Sequence, residues 1–405
     1  MSLCDVIVVG GGMVGATLTS LLARSGFSAI LVDARGAPGW SPDAARGLRV
    51  SALSPSSEAV LKQAGAWAQI EQGRHGTYRR MRVEDGQGSG AIDFEAARFG
   101  FHHLGTIVEN DQVAQALWDA LPDGGVIDCH APARLESVIQ ERDHVRCMLD
   151  DGTALRARLL VGCDGAGSGV RRAVGIDTDA WEYNQKGLVT QVRKAQPNMD
   201  VAWQRFLLGG PLAFLPLGDG TSSIVWSLPS READSLCALD EGAFSERLEV
   251  ASKGWLGEVL AVGPRATFPL AMSLGRQYVA GRVVLLGDAA HAIHPLAGQG
   301  VNLGLADAAG LVEKLAGAGR SAFDAPQTLT QFERWRRSES SLMAQGIHAL
   351  GALFRPGMLA PLRGAGMAVI GRSWTLREAF LRRAAGLGPN APRLAHGATV
   401  HDLSL

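Results

Sequence analysis

The sequence predicts an α/β fold with a βαβ unit at its N-terminus, an interleaved antiparallel-sheet region and a helical C-terminus. The apolar run Val6-Ile-Val-Val9 leads through a glycine-rich turn into a helical pattern and then a second apolar strand. Continuous apolar runs of this kind are typical of parallel strands buried on both faces. Short strands with turn signals near 76–99 and 181–265 interrupt this pattern, and residues after about 325 have helical periodicity. The α/β and sheet segments therefore alternate along the chain.

The composition is that of a globular protein with a substantial core, since 46% of its 405 residues are hydrophobic and 20% are charged. The net charge of −1 gives no overall attraction to nucleic acid. Five scattered cysteines without a C-x-x-C pair argue against a disulfide framework and favour a reducing compartment. We recognise neither a signal peptide nor an apolar run of the ~18 residues that a membrane span needs. These features predict a cytoplasmic protein.

The first motif is the turn after the N-terminal strand. Gly10, Gly12 and Gly15 have G-x-G-x-x-G spacing, with Val14 inside the motif, and Asp33 ends the next strand. Such glycines let a backbone approach a pyrophosphate at a helix N-terminus, and the acid accepts from a ribose hydroxyl. The alternative is a turn whose glycines serve packing alone. We favour dinucleotide binding, with NAD and FAD both open at this point.

Two later segments also end apolar strands. Asp164 follows the run 159–161; it is either a ligand contact or part of an ordinary turn with Ser168 as helix N-cap, and taken alone the turn is favoured. Asp288 follows the run 283–286 and precedes a glycine-rich helix start at 298–300. That helix start is suited to stabilising negative charge, such as the N1–C2=O edge of a reduced flavin. The alternative, tight packing of a glycine-rich helix, explains the long motif poorly.

Two histidines in the third segment, His291 and His294, are acid–base candidates because imidazole titrates near neutral pH. A metal site is not predicted, since no third ligand stands at a usable spacing. Hydrolysis by a Ser/His/Asp triad is not predicted either, because no G-x-S-x-G elbow occurs. We expect the histidines to have a structural or site-shaping role and assign no catalytic acid or base.

The three segments, in this order, resemble flavin-dependent aromatic hydroxylases of the para-hydroxybenzoate hydroxylase type. Within that class, residues 108–110, 210–216, 223–226 and 294–304 look most like the hydroxylases of ubiquinone biosynthesis. The resemblance extends from about Asp5 to Gly386, and its last segment is the most specific.

The resemblance implies roles for individual residues. The first turn and Asp33 match the ADP-binding turn and ribose acid, Arg49 matches an arginine that reaches the FAD phosphates, and Asn110 matches a polar cofactor contact. Asp164 matches an acid implicated in FAD and nicotinamide-cofactor binding, and Asp288 matches the ribityl-binding acid. The cofactor-facing segment of the third motif comprises Pro295, Gly298, Gly300, Val301 and Asn302. Asp111 departs from the family pattern, since many relatives have an arginine at this position.

The resemblance also implies a Rossmann-like FAD-binding domain of the glutathione-reductase type, formed by residues 1–75, 100–180 and 266–325. A substrate-binding sheet domain would comprise 76–99 and 181–265, followed by a C-terminal helical region, 326–405. The implied activity is FAD-dependent hydroxylation of an aromatic ring with O₂ and NADH or NADPH, on a prenylated phenol of ubiquinone biosynthesis. The alternatives are a secondary-metabolite hydroxylase or epoxidase, and a flavin-bound non-catalytic subunit of a biosynthetic complex.

The segment 342–381 has apolar residues at helical spacing, with Arg355, Arg363 and Arg372 among them. It predicts either an amphipathic helix packed on the core or a surface that contacts acidic headgroups at the inner face of a membrane. Because the flavin motifs all lie upstream, we expect truncation after Ser340 to leave flavin binding intact. The sequence predicts no oligomeric state, ring position or choice between NADH and NADPH.

Overall fold

The computed structural model describes residues 3–88, 90–255, 257–293, 299–353 and 373–404. The helices are α1 (Met13–Arg24), α2 (Pro55–Gln63), α3 (Trp67–Gln72), α4 (Asn110–Asp119), α5 (Gly169–Ala173), α6 (Ser230–Cys237), α7 (Glu241–Ser252), α8 (Gly300–Ala318), α9 (Pro326–Leu353) and α10 (Trp374–Ala384). The strands are β1 (Cys4–Val9), β2 (Ala29–Val32), β3 (Val50–Leu53), β4 (His75–Tyr78), β5 (Arg80–Asp85), β6 (Ala91–Glu95), β7 (Gly105–Glu109), β8 (Ile127–His130), β9 (Leu135–Gln140), β10 (Val145–Leu149), β11 (Ala154–Gly162), β12 (Thr178–Lys194), β13 (Val201–Leu207), β14 (Gly210–Pro216), β15 (Thr221–Pro229), β16 (Val259–Val262), β17 (Ala266–Gly275), β18 (Val279–Ala280), β19 (Val283–Leu285) and β20 (His291–Ala292).

The first sheet is parallel at its centre and confirms the predicted βαβ unit. Its order is β18-β19-β11-β1-β2-β8, and the hairpin of β9 and β10 joins it beside β11. In the register, Val9 lies beside Gly162, and Gly162 lies beside Leu285. Parallel strands end at the same edge of a sheet, and that edge is where open α/β sheets bind ligands. The three motifs that follow β1, β11 and β19 therefore meet at one edge.

Helices α1 and α8 pack closely beside this edge. A Cβ at Gly304 would lie only 2.5 Å from Val14 Cγ2, so the glycine permits the close approach of α8 to α1. Leu18 and Leu305, on the buried sides of the two helices, belong to one apolar core with the inner strands of the sheet. The close packing holds the N-termini of both helices near the sheet edge.

The large second sheet has the order β20-β17-β12-β15-β14-β13-β5-β6, with β16 beside β12. Side chains alternate across it: Leu188, Trp203 and Phe214 pack in the apolar cluster that includes residues of α6 and α7. The residues between them face the other way. The sheet is not wholly antiparallel as predicted, because β13 runs parallel to β5. These two strands come from distant parts of the chain, so no hairpin constrains their relative direction.

The small third sheet, β3-β7-β4, is antiparallel and leads into the large sheet through the short link between β4 and β5. It carries Arg49 and Asn110 at one end, because the N–H of Asn110 donates to the carbonyl of Arg49. The two sheets together enclose the main cavity, described below. The domain limits predicted from the sequence stay a prediction.

The C-terminal residues belong to the main core, which corrects the expectation for truncation after Ser340. Leu394 and Leu403 are buried against the core of the first sheet, and Ile347 is buried against Met272 and neighbouring residues. Removing them would expose a large apolar surface, so such a truncation is expected to unfold the chain. Of the segment 342–381, residues 354–372 lie outside the described residues. No helix within the described ranges has the length and apolar composition needed to cross a bilayer.

Candidate functional site

The glycines of the turn after β1 serve two purposes: some permit close packing, and one leaves the N-terminus of α1 open. A Cβ at Gly10 would lie 2.4 Å from the carbonyl oxygen of Cys163, and one at Gly15 would lie 1.8 Å from that of Gly10. These two positions therefore require glycine for packing. A Cβ at Gly12, the N-cap of α1, would meet no described atom within 4 Å. The N-terminus of α1 thus faces open space that a ligand can occupy, and its free N–H groups favour an anion.

Asp33 fixes the backbone next to this helix end. Its Oδ2 accepts from the N–H of Gly11 at 2.7 Å, and its Oδ1 accepts from the N–H groups of Arg35 and Gly36, both at 2.8 Å. The side chain lies where the sequence analysis placed it, at the end of β2 beside the turn. Its contact with a ribose stays a prediction.

Asp164 is engaged by the helix that follows it. Its oxygens accept from Ser168 Oγ at 2.5 Å and from the N–H groups of Gly169 at 2.7 Å and Val170 at 3.1 Å. Ser168 is the N-cap of α5, as the turn alternative predicted. This geometry assigns the Asp164 carboxylate a local structural role; its contact with a cofactor stays a prediction.

Asp288 and Arg49 face the same cleft. Both side chains are exposed, and no described carboxylate lies within ion-pairing distance of Arg49. Although Asp288 is accessible, the protein around its carboxyl weakens hydration enough to raise its pKa, partly offset by His291 and Arg49. A carboxyl group that is accessible and still has a raised pKa is characteristic of a concave site. The cleft therefore offers one anion and one cation to a ligand.

Asn110 lies at the boundary between the cleft and the main cavity. Its Oδ1 accepts from Ser51 Oγ at 2.7 Å, which orients the amide. The cavity has a volume of about 540 Å³ and is mostly apolar. Its lining residues are Leu48, Arg49, Val50, Ala52, Tyr78, Met81, Asn110, Val189, Ala202, Gln204, Pro211, Ala213, Leu215, Val225, Ser227 and Phe268.

The lining has two chemically different parts. The large sheet contributes small and apolar side chains such as Ala213, Leu215 and Phe268, whereas the small sheet contributes Arg49 and Tyr78. Burial raises the pKa of the Tyr78 phenol, and nearby Glu58 raises it further, so the phenol stays neutral and able to donate. The cavity can hold a flat apolar ring with a few polar substituents.

The N-terminus of α8 resembles that of α1 in being open. A Cβ at Gly300 would meet no described atom within 4 Å, and Val301 packs against the main core. Asn302 is buried, and its side chain bonds to the segment between β3 and α2 rather than facing the cleft. Whether the backbone of 300–302 contacts a cofactor stays a prediction. Pro295 and Gly298, like His294, lie outside the described residues.

His291 is buried, and its Nε2 lies 2.5 Å from Asp307 Oδ2. Arg336 Nε donates to the other oxygen of Asp307 at 2.7 Å. No sequence motif pointed to Arg336, although Asp307, a charged residue in the largely apolar α8, was a signal that a buried partner was needed. Within the described residues, no cluster of His, Cys, Asp and Glu is arranged to hold a metal ion.

The site fits a bound dinucleotide with an aromatic ring system. Two open helix N-termini suit its phosphates and a ring edge that becomes negative, and Asp288 and Arg49 offer the cleft an anion and a cation that are not paired with each other. Arg49 also lines the cavity, so the cleft and the cavity adjoin. A cofactor in the cleft and a second ring in the cavity would be neighbours.

Residues 3–343 match the family model described as an FAD binding domain. The ubiquinone hydroxylase UbiL of Rhodospirillum rubrum is 37% identical over 404 residues, covering 97% of this chain and 92% of the relative. The 3-demethoxyubiquinol 3-hydroxylase of Escherichia coli is 33% identical over 388 residues, covering 95% of this chain and 98% of the relative.

Among solved structures, the probable FAD-dependent monooxygenase PqsL of Pseudomonas aeruginosa superposes with a TM-score of 0.76 at 25% identity. The alignment covers 91% of this chain and 100% of that chain. The p-nitrophenol 4-monooxygenase PnpA of Pseudomonas putida shares the fold, with a TM-score of 0.74 at 20% identity over 94% of this chain and 97% of that one. The similarity is therefore not confined to the glycine turn.

Proposed function

Because this chain belongs to the FAD-dependent monooxygenase family that includes the ubiquinone-biosynthesis hydroxylases, we propose that it hydroxylates the ring of a prenylated phenol of ubiquinone biosynthesis. The observation that carries the proposal is that Arg49 lines both the Asp288 cleft and a mostly apolar cavity of about 540 Å³. One residue thus borders both the expected cofactor position and the expected ring position.

The cofactor is FAD, with NADH or NADPH as electron donor. We assign the pyrophosphate to the N-terminus of α1 and to Arg49, and the ribityl chain to Asp288, since a carboxylate accepts from vicinal hydroxyls. Asp33 is assigned to the ribose of the ADP part, and the N-terminus of α8 to the pyrimidine edge. Bound FAD supplies the transfer of one oxygen atom from O₂ to the ring with electrons from the nicotinamide.

The chain's own contribution is to orient the ring and exclude water. Leu215 and Phe268 give the cavity an apolar surface, and Tyr78 offers a neutral hydroxyl to a ring oxygen. The cavity volume is typical of sites for small ligands, so it suits the ring and not a long tail. A prenyl tail prefers lipid by ~0.8 kcal/mol per CH₂ group, so we infer that it leaves the cavity towards an apolar surface.

An exposed apolar surface exists on α10. Trp374, Leu376 and Phe380 are each about half exposed, and Arg382 of the same helix is also exposed and pairs with Glu378. Aromatic and aliphatic side chains next to arginine are typical of helices that lie in a membrane interface. We propose that α10 touches the inner face of the membrane, where prenylated substrates reside. The buried Ile347 shows that the preceding part of the predicted stripe is core.

The test is nicotinamide oxidation by the purified holoenzyme with a prenylated phenol, a short-chain phenol or no phenol, with product identified by mass spectrometry. We expect the prenylated phenol to stimulate oxidation and to gain one oxygen atom. Stimulation by unrelated polycyclic substrates instead would favour a secondary-metabolite hydroxylase or epoxidase. The relatives are named as hydroxylases, which argues against the non-catalytic alternative.

A further inference from the structure

A buried carboxylate holds both ends of the turn that carries Asp288. Asp307 Oδ2 accepts from the N–H of Gly287 at 3.1 Å and lies 2.5 Å from His291 Nε2. Gly287 precedes Asp288 directly, and His291 begins the short strand β20 that pairs with Leu274 of β17. One side chain of α8 thus fixes the turn on both sides of Asp288.

The other oxygen of Asp307 links this turn to α9. It accepts from Arg336 Nε at 2.7 Å, and Arg336 is only 2% exposed. Burial alone would raise the pKa of Asp307, but His291 and Arg336 hold it below its usual value, so the carboxylate stays ionised. Asp307 therefore keeps its capacity to accept all three bonds.

A buried ion pair is a poor way to gain stability. Removing two charges from water costs several kcal/mol, and apolar residues of similar volume often stabilise as well or better. The geometric effect of this pair, in contrast, is specific: three donors from a turn, a strand and a helix converge on one carboxylate. This favours a role in placing the turn over a role in stability alone.

The charge of Arg336 matters for the same reason. Asp288 lies in the cleft beside this triad, and its carboxyl already bears a raised pKa. Without Arg336, only His291 would offset the negative charge of Asp307 behind Asp288, near a cofactor that itself carries phosphates. The arginine removes this repulsion while leaving Asp307 able to accept from the turn.

We propose that Asp307, neutralised by Arg336, is a positioning residue that sets the place of Asp288 for FAD through Gly287 and His291. Neither Asp307 nor Arg336 is assigned a contact with cofactor or substrate. The proposal rests on the assignment of Asp288 made above, which Asp288→Ala tests separately.

The experiment compares variants in FAD affinity and in the visible circular dichroism of the bound flavin, which reports its surroundings. Asp307→Asn keeps the shape but loses acceptor capacity, and we expect at least a tenfold rise in the FAD dissociation constant with a changed dichroism spectrum. The matched control is Asp324→Asn, which also removes a carboxylate paired with two arginines, Arg158 and Arg282, but contacts no part of the turn. The control should bind FAD like the wild type.

Two further pairs of variants, at His291 and at Arg336, decide the question if Asp307→Asn does not fold. His291→Gln retains a donor towards Asp307, whereas His291→Leu does not, so the leucine variant should bind FAD at least threefold more weakly than the glutamine variant. Arg336→Lys should likewise bind more tightly than Arg336→Met. Equal FAD affinity and dichroism within both pairs would overturn the proposal. If Asp288→Ala lowers affinity while these variants do not, only the positioning role fails.

Discussion

Asn302 Oδ1 accepts a hydrogen bond from the backbone N–H of Ser54 at 3.0 Å, although 248 residues separate them in the chain. The same oxygen accepts from Ser57 Oγ at 2.7 Å, and Asn302 Nδ2 donates to the carbonyl of Ala52 at 2.9 Å. The first turn of α8 is thereby attached to the end of β3 and the start of α2. One side chain fixes the distance between the α8 N-terminus and the strand that follows Arg49.

Replacing Asn302 by Leu should destabilise the protein by about 3 kcal/mol, because three buried polar groups lose their partner in one substitution. The free energy of unfolding in urea measures this loss. Asn390→Leu is the control: Asn390 is exposed and its side chain bonds to Glu339 at the surface, so we expect a change within about 0.5 kcal/mol. Equal losses in both variants would show that the attachment contributes nothing specific.

Substitution of the open glycine, Gly12, should have a different effect from substitution of the packed glycine, Gly15. We expect Gly12→Ala to fold like the wild type, since its Cβ meets no described atom, but to bind FAD about tenfold more weakly because the methyl group occupies the phosphate position. Gly15→Ala should fail to fold, because its Cβ would lie 1.8 Å from a carbonyl oxygen. Thermal unfolding with and without FAD distinguishes the two effects. Unchanged affinity in folded Gly12→Ala would place the phosphates elsewhere.

The N-terminus of α8 has its own test. In Gly300→Val the backbone N–H groups should move away from the flavin edge, so they stabilise the negative charge of the reduced state less. We expect a lower reduction potential, measured by equilibrium with a reference dye, and slower reduction by the nicotinamide. Because a Cβ at Gly300 would meet no atom of the described residues within 4 Å, we expect the variant to fold. A potential equal to that of the wild type would mean that α8 points away from the flavin.

Asp288→Ala should have opposite effects on the apo- and holo-proteins. The raised pKa means that the ionised carboxylate destabilises the folded apo-protein above its unfolded pKa; this cost grows as the pH rises through the folded pKa and is absent in stronger acid. At pH 7, the apo form of Asp288→Ala should therefore be more stable than the apo form of the wild type. FAD affinity should fall by at least about a hundredfold, since two charge-assisted hydrogen bonds of ~1.5–3 kcal/mol each are lost. Asp179→Ala, at an exposed surface pair with Arg276, is the control for both measurements.

Filling the cavity should separate substrate binding from cofactor binding. Ala213→Phe places a ring in the space that we assign to the substrate, so kcat/KM should fall about a hundredfold while FAD remains bound. Ala180→Phe is the matched control, since Ala180 is an exposed strand residue outside the cavity lining. If Ala213→Phe retained normal turnover, the ring would have to bind in another place.

The lipid contact is tested by polar substitution on α10. Leu376→Ser with Phe380→Ser should reduce co-sedimentation with anionic liposomes about tenfold, because apolar surface that would insert into the interface is removed. Leu260→Ser is the control, an equally exposed apolar residue on β16. Equal loss in the control, or no loss in the double variant, would argue against α10 as the contact.

The local motifs were readable from the sequence because they depend on neighbouring residues. The strand–glycine–helix unit at Gly10, and the acids Asp33 and Asp288 at strand ends, follow from short-range periodicity and turn chemistry. Their meeting at one sheet edge was predictable as well, since parallel strands share the edge at which they end. The resemblance to flavin hydroxylases rested on these same segments, and the family comparisons confirm it.

Only the tertiary structure determined which groups the polar side chains bond to. The sequence favoured Ser168 as the N-cap of α5, but it did not show that Asp164 would also accept from the N–H groups of Gly169 and Val170. The pairing of Asp307 with Arg336, and of Asn302 with Ser54, joins residues distant in sequence, so no periodicity or motif predicts either. The same holds for the C-terminal core residues such as Leu394, whose burial depends on what packs against them. Sequence pattern determines which local conformation a segment favours, whereas the partner of a polar group is determined by the folding of the whole chain.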